Sequence, residues 1–267
     1  MRRAASRTSA RGREASRAGD TGYARLTVVS EALPGPAVVD VTDPVGDDNG
    51  PGTYAYPTAT DFHPGAFDIE RFQVIDAGDT IYLRTQLRDL TPTFGSALGA
   101  QLLDVFVRDP AAAAFSTAPP FPSRNFAIAP DSAWSSRVEV QGFADPVFVD
   151  AAGRSLGTVA VTANQATRSI VIAVPAAALG RPSSGWVFTV ALHGQDGFSP
   201  DQARGFAPTP QPYAFGVCAA GGTAAICGVD PGSVPKVMDT ITPPAVDQYA
   251  ELDPTAPPVE LHGVPVP

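Results

Sequence analysis

The chain has 267 residues, 44% of them apolar and 8% aromatic, with 28 prolines and 25 glycines. That is enough apolar material for a sizeable core, but proline and glycine at this density exclude a protein built from long helices and favour short strands joined by turns. The net charge of −9 is unevenly spread, since six arginines and one glutamate fall in the first nineteen residues and leave −14 on the remainder; such a body repels phosphate backbones and excludes nucleic acid as a partner.

Residues 1–20 are rich in Arg, Ser and Ala without periodicity and are predicted to be disordered. This head lacks the apolar stretch of a secretory signal, and no segment approaches the length needed to span a bilayer. The chain is therefore expected either to be cytoplasmic or to be a fragment whose true beginning lies upstream. Residues 21–36 read as a strand, Tyr23 to Val29, followed by a break at Leu33-Pro34-Gly35-Pro36, the end of a preceding domain or a linker.

Beyond the break, alternation takes over. "AFDIERFQVIDAGDTIYLRTQLRDL" predicts a hairpin, with Phe67, Ile69, Phe72 and Val74 on one strand, a turn over Asp76 to Asp79, and Ile81, Leu83 and Leu87 on the return. The step from Ile69 to Phe72 breaks the period of two and predicts a bulge near Glu70 and Arg71. "AQLLDVFVRDP" predicts a strand halted by Pro110, and "SRVEVQGF" and "DPVFVD" predict two more around a turn at Gly142 to Pro146. "GTVAVTANQATRSIVIAVPAAALG" predicts a second hairpin around Asn164 to Thr167 and one helical turn at Pro175 to Leu179; "GWVFTVALHG" predicts a further strand. Eight or more short strands separated by turns point to an all-β, two-sheet antiparallel sandwich or jelly roll. From Pro208 the composition shifts to Pro, Gly, Ala and Thr with anchors at Val237, Met238, Ile241 and Leu252, which predicts an extended tail wrapping the sandwich.

Catalytic patterns are sparse. His63, His193 and His262 sit in unrelated contexts, neither G-x-S-x-G nor H-E-x-x-H occurs, and the six glutamates form no evident acid/base pair. The polar loop "LHGQDGFSPDQAR" reads as a turn closed by hydrogen bonds of Asp201 or Arg204. The run "DPVGDDNGPGTYAYPT", residues 43–58, is different: Asp43, Asp47 and Asp48 crowd a glycine-bearing loop, the kind of oxygen-rich segment that calcium uses. The same composition also suits a tight turn with Asx hydrogen bonds and glycines at positive φ. Tyr54 and Tyr56, two apart, would share a face of an extended segment and could stack on sugar rings, or line a buried edge of the sandwich. Of the two tryptophans, Trp134 is the better ligand candidate because a Ser- and Asp-rich loop precedes its strand. Cys218 and Cys227, in "CAAGGTAAIC", read as a local disulfide in an exported protein and as a free thiol pair otherwise.

"DPVGDDNGPGTYAYPT" followed by "FHPGAFDIERFQVIDAGDTIYLRTQLRDL" resembles the opening of the C-terminal module of glucodextranase, of a kind also appended to pullulanases, glucoamylases and related secreted glucan-degrading enzymes. The resemblance continues through "QLLDVFVRDP", "WSSRVEVQGF" and "HGQDGFSPDQARGF" and covers residues 37–265. It implies a β-sandwich of the DOMON and family-9 carbohydrate-binding-module type, joined to an upstream catalytic domain and located outside the cell or on its surface. The implied role is binding α-glucan or cell-wall polysaccharide, or cell-surface attachment, without catalysis. The resemblance also strengthens the calcium reading and adds Asp68 to Asp43, Asp47 and Asp48 as metal-ligating candidates. The chain departs from the family pattern at "LRDLTPTFGSALG", where a longer polar insertion is usual. The competing expectations are a purely structural spacer with a metal-stabilised loop, and a glycoside hydrolase in its own right.

Overall fold

The computed structural model describes residues 33–267; the predicted disordered head and the predicted strand Tyr23 to Val29 lie outside the described residues. Ten strands carry the architecture: β1 (Ala37–Thr42), β2 (Ile69–Asp76), β3 (Thr80–Leu87), β4 (Gln101–Arg108), β5 (Ala127–Ile128), β6 (Ser136–Gln141), β7 (Val147–Asp150), β8 (Ala160–Asn164), β9 (Ser169–Pro175) and β10 (Val187–Gly194). Five two-residue strands follow in the tail: β11 (Phe206–Ala207), β12 (Phe215–Gly216), β13 (Asp239–Thr240), β14 (Glu260–Leu261) and β15 (Val264–Pro265).

One sheet runs β1-β2-β3-β9-β8, and the other β13-β10-β4-β6-β7, with β15 on the outer edge of β10 as well. The pairings within both are antiparallel. The all-β sandwich expected from the strand pattern is the observed fold. Its two inner faces meet in one core: Phe72, Val74, Leu83 and Ile172 from the first sheet pack with Val105, Val138, Phe188 and Leu192 from the second. The Phe72 and Phe188 rings lie 6.1 Å apart across that interface. The β2–β3 register slips between Ile69 and Arg71, where the period of two breaks in the sequence.

The sheets differ on their outer faces. The outer face of the first is wet and polar, with Arg71 paired to Asp40 and Gln86 to Glu70 across neighbouring strands. The second is covered. Phe106 and Ala191 on its outer face pack against Phe126, Ile128 and Trp134 from the β4–β6 connection and against Val237, Leu252 and Leu261 from the tail. Beneath this cover lies an ionic network. Arg124, fully buried, places Nη1 2.5 Å from Asp104 Oδ2 and 3.0 Å from Glu139 Oε2. Arg137 bridges the same two carboxylates at 3.1 Å each. Burial pushes the Asp104 carboxyl up, but the Arg124, His193 and Arg137 side chains outweigh it and hold the group well below the usual carboxylate range. Arg124 Nε and Nη2 donate to the Asp201 carbonyl, so the network ties the covering loop to the segment after β10.

Candidate functional site

Two concave regions occupy the same end of the sandwich. Antiparallel pairing brings together the end of β1, the start of β2, the end of β3, the start of β4 and the ends of β6 and β10. The long connections 43–68, 88–100, 142–146 and 195–205 all leave from that end.

The first region is built from the acidic run. Its glycines do what a turn requires: Gly46, Gly50 and Gly52 sit at φ of +90°, +57° and +88°. Gly50 is constrained twice, because a Cβ there would also lie 2.3 Å from the Tyr54 ring. The tail holds the loop, with Gly50 N–H donating to the Met238 carbonyl and Gln248 Nε2 donating to the Asp47 carbonyl. In this setting carboxylate oxygens of Asp43, Asp47 and Asp239 all lie within 4.8 Å of one another. Asp43 and Asp47 line a hollow of about 300 Å³ together with Thr242, Asp247 and Tyr249, and Asp239 is fully buried beside them.

The electrostatics are those of crowded anions. Burial, then the charges of Asp47 and Asp68, pushes the Asp43 carboxyl up to about 8. Burial and the neighbouring carboxylates Asp68 and Asp48 raise Asp47 to about 6, against the downward pull of its own backbone. Asp239, fully buried, is pushed well above its ordinary value by burial and by Asp43 and Asp47, although it accepts from Ile69 N–H and Thr240 N–H. Asp43 Oδ2, Asp47 Oδ1 and Asp68 Oδ1 are buried oxygens without a hydrogen-bond partner. Asp43 and Asp47, each with an unpartnered oxygen, and Asp239 beside them offer hard carboxylate oxygens that could hold a hard divalent cation such as calcium, which would discharge the repulsion.

The four aspartates singled out in the sequence therefore take different places. Asp43 and Asp47 converge. Asp68 is fully buried beside them, with one oxygen accepting from Gly46 N–H and facing Arg88 at 3.3 Å. Asp48 turns away to accept from the Tyr56 hydroxyl. Asp239, the third member of the convergent set, lies 192 residues beyond Asp47 in a "VMDT" context with no local acidic signal. Only the pairing of β13 with β10 delivers it.

The aromatic candidates belong to the interior. Tyr54 is buried, its ring 4.5 Å from that of Phe206 and its hydroxyl donating to the Pro235 carbonyl. Tyr56 packs edge-on against Phe67 and Phe215, and its hydroxyl accepts from Phe67 N–H. Trp134 is buried against Phe106 and donates its indole N–H to the Ala118 carbonyl. The expected shared face of Tyr54 and Tyr56 is thus a face turned into the core, and Trp134 belongs to the cover of the second sheet. Cys218 and Cys227 are joined as a disulfide, closing a ten-residue loop at the margin of the core.

The second region is a cleft of about 660 Å³ lined by Phe94, Phe143, Gln195, Asp196, Gly197, Phe198, Arg204 and Tyr213. Its floor is braced by Arg204, whose Nη1 donates to the Tyr213 carbonyl and Nη2 to the Gln195 carbonyl while the guanidinium lies over the Phe62 ring at 4.8 Å. Gln195, also buried, donates its amide to Gln141 at the end of β6. The loop of residues 195–205 is closed as its polar composition suggests: Asp201 accepts from Ser199, Ser123 and Lys236, and Asp196 N–H donates to the Gln202 carbonyl. Phe198 stands at its tip, fully exposed. Sequence reading missed this cleft because its rings come singly, from four separate connections.

A family model described as the C-terminal binding module, SLH-like, of glucodextranase matches residues 38–262. No curated protein matches the chain.

Proposed function

The chain belongs to the family of glucodextranase C-terminal binding modules, and from that premise we propose that it is a non-catalytic, calcium-stabilised module serving a secreted glucan-degrading enzyme. Its ligand is α-glucan or cell-wall polysaccharide, bound to hold the enzyme on its substrate or at the cell surface, and its natural partner is an upstream catalytic domain. The observation that carries the reading is the extent of the family match, residues 38–262, which takes in the connections that form both clefts and nearly all of the sandwich and its wrapping tail. An extracellular setting agrees with the Cys218–Cys227 disulfide. Among the described residues no helix is long and apolar enough to cross a membrane.

Calcium enters through the convergence of Asp43, Asp47 and Asp239. Two of these come from the loop after β1 and one from the tail, so an ion held there would fasten the last part of the chain to the first strand of the sandwich. The role is one of stability, since the cation bridges segments that already touch through Gly50–Met238 and Asp47–Gln248.

The burial of Tyr54 and Trp134 favours the rival reading, a spacer whose only ligand is a metal. Titration calorimetry of the purified chain with starch, pullulan, dextran and cell-wall glycan, each in the presence of calcium, separates the two. Binding to at least one polysaccharide with a millimolar to micromolar Kd, a free energy of about −4 to −8 kcal/mol, is the expected result. No heat with any of them would leave the spacer.

A further inference from the structure

We propose that the cleft formed by Phe94, Phe143, Phe198, Arg204 and Tyr213 is the polysaccharide site, and that its ligand is a neutral pyranose polymer. This deepens the reading of the chain as a polysaccharide-binding module and rests on it. Among the described residues seven large apolar side chains are exposed, and four of them line this one cleft: Phe94 at 38%, Phe143 at 50%, Tyr213 at 57% and Phe198 at 100% relative exposure. Each sits on a different connection, so no single strand's packing explains the convergence. A fully exposed phenylalanine at a loop tip contributes nothing to the core, and a cluster of such rings marks a binding surface.

The chemistry of the cleft selects the ligand. Its volume, about 660 Å³, lies within the range of small-ligand sites, roughly 300–1,000 Å³. A pyranose offers a C–H face that stacks on an aromatic ring and a rim of hydroxyls that need in-plane donors and acceptors. The exposed rings supply the faces and the half-buried Asp196 carboxylate a polar group, while the buried Arg204 and Gln195 brace the base.

The polar groups are also pre-set. Asp196 Oδ1 accepts from Phe198 N–H, which fixes the loop tip, and two guanidinium nitrogens of Arg204 are committed to the Tyr213 and Gln195 carbonyls. Arg204 Nε has no partner although the side chain is only 7% exposed. One arginine and one aspartate leave the cleft close to neutral, within a body at −14 from residue 20 onward. Anionic polymers are repelled by that body, and neutral glucans are not. The connection 88–100 contributes Phe94, held at φ +53° beside Gly95 with its ring edge-on to Phe62.

The test compares wild type with Phe198→Ala and Phe143→Ala, using dextran, pullulan and soluble starch in affinity electrophoresis and calorimetry. Phe115→Ala is the control, because Phe115 is another exposed phenylalanine, 40% exposed and lying outside the cleft. Both cleft positions are at least half exposed, so the variants fold, and their thermal midpoints confirm it. The proposal expects at least about a tenfold rise in Kd for each cleft variant and none for Phe115→Ala. Unchanged binding in both cleft variants would overturn the site while leaving the binding-module reading intact. A wild type that binds none of these polymers or cell-wall glycan removes that reading and the site with it. Self-association that the cleft variants abolish, with polysaccharide binding unaffected, would reassign the cleft to a contact between copies of the chain.

Discussion

Asp43 and Asp47 could be picked out in the sequence because acid density on a glycine-bearing loop is a local property, readable within sixteen residues. Asp48 has the same local credentials, yet its side chain is turned toward the Tyr56 hydroxyl, and nothing local distinguishes the two neighbours. Asp239 is the reverse case, a lone acid whose position is set by long-range strand pairing. A prediction at this scale follows from the crowding of the three carboxylates. Asp47→Asn removes one negative charge from a buried cluster whose members already repel one another. In EDTA the variant should melt at a temperature equal to or above wild type. In calcium the order should invert, because a cation bound only by the folded state adds about 2.7 kcal/mol at a hundredfold excess over Kd, and the variant loses most of it. Differential scanning fluorimetry in the two buffers reads the crossing. A variant that is less stable than wild type by the same amount in both would count against a cation site.

At the scale of elements, alternation made β2 and β3 of the first sheet legible because that sheet has one wet face: polar Arg71, Gln73 and Arg84 interleave with buried Phe72, Val74 and Leu83, whereas β1 was not picked out. β4 was equally legible as a strand but not as a doubly covered one. Its run "QLLDVFVR" is buried nearly throughout, including Asp104, and a charged residue in such a strand ordinarily signals solvent. Arg124 and Arg137 neutralise it from loop and strand positions that no periodicity connects. The two-residue strands β11 to β15 were invisible because two residues cannot show a period. The Cys218–Cys227 loop is the element with the simplest energetics: nine residues of separation correspond to roughly 2–3 kcal/mol of loop-closure entropy removed from the unfolded chain. Urea unfolding with and without a phosphine reductant should show that loss in midpoint with strand content retained by circular dichroism. A midpoint unmoved by full reduction would show that the tail's packing alone holds the loop.

For the whole molecule, the tail is the decisive feature. It supplies both outer partners of β10, through β13 and β15, and the cover of the second sheet through Val237, Leu252 and Leu261. It also supplies Asp239 to the acidic cluster and, through Met238 and Gln248, the backbone and side-chain contacts that hold the loop after β1. Met238, Ile241, Leu252 and Leu261 are all fully buried, and each contributes about 1.5–3 kcal/mol by burial. Ending the chain at Pro235 removes all of them, strips the tail's share of the cover from Phe106 and Ala191, and takes the Lys236 carbonyl from His193. Since whole domains are stable by only about 5–15 kcal/mol, the truncated chain should lose its cooperative calorimetric transition. A truncated chain that still melted sharply would mean that the sandwich is independent of its wrap.

The longer strands from β2 onward, the bulge after Ile69, the turns and the anchors of the tail were determined by the sequence itself, because a period of two, a glycine at positive φ and a proline break act over a few residues. Tertiary structure alone decided which side chains meet and which are left exposed. It turned Tyr54, Tyr56 and Trp134 inward, brought Asp239 to Asp43 and Asp47, and gathered Phe94, Phe143, Phe198 and Tyr213 around Arg204. The physical reason is the same in each case: a site is a meeting of side chains from separate connections, and antiparallel pairing across two sheets sets those meetings at sequence distances that no local pattern records.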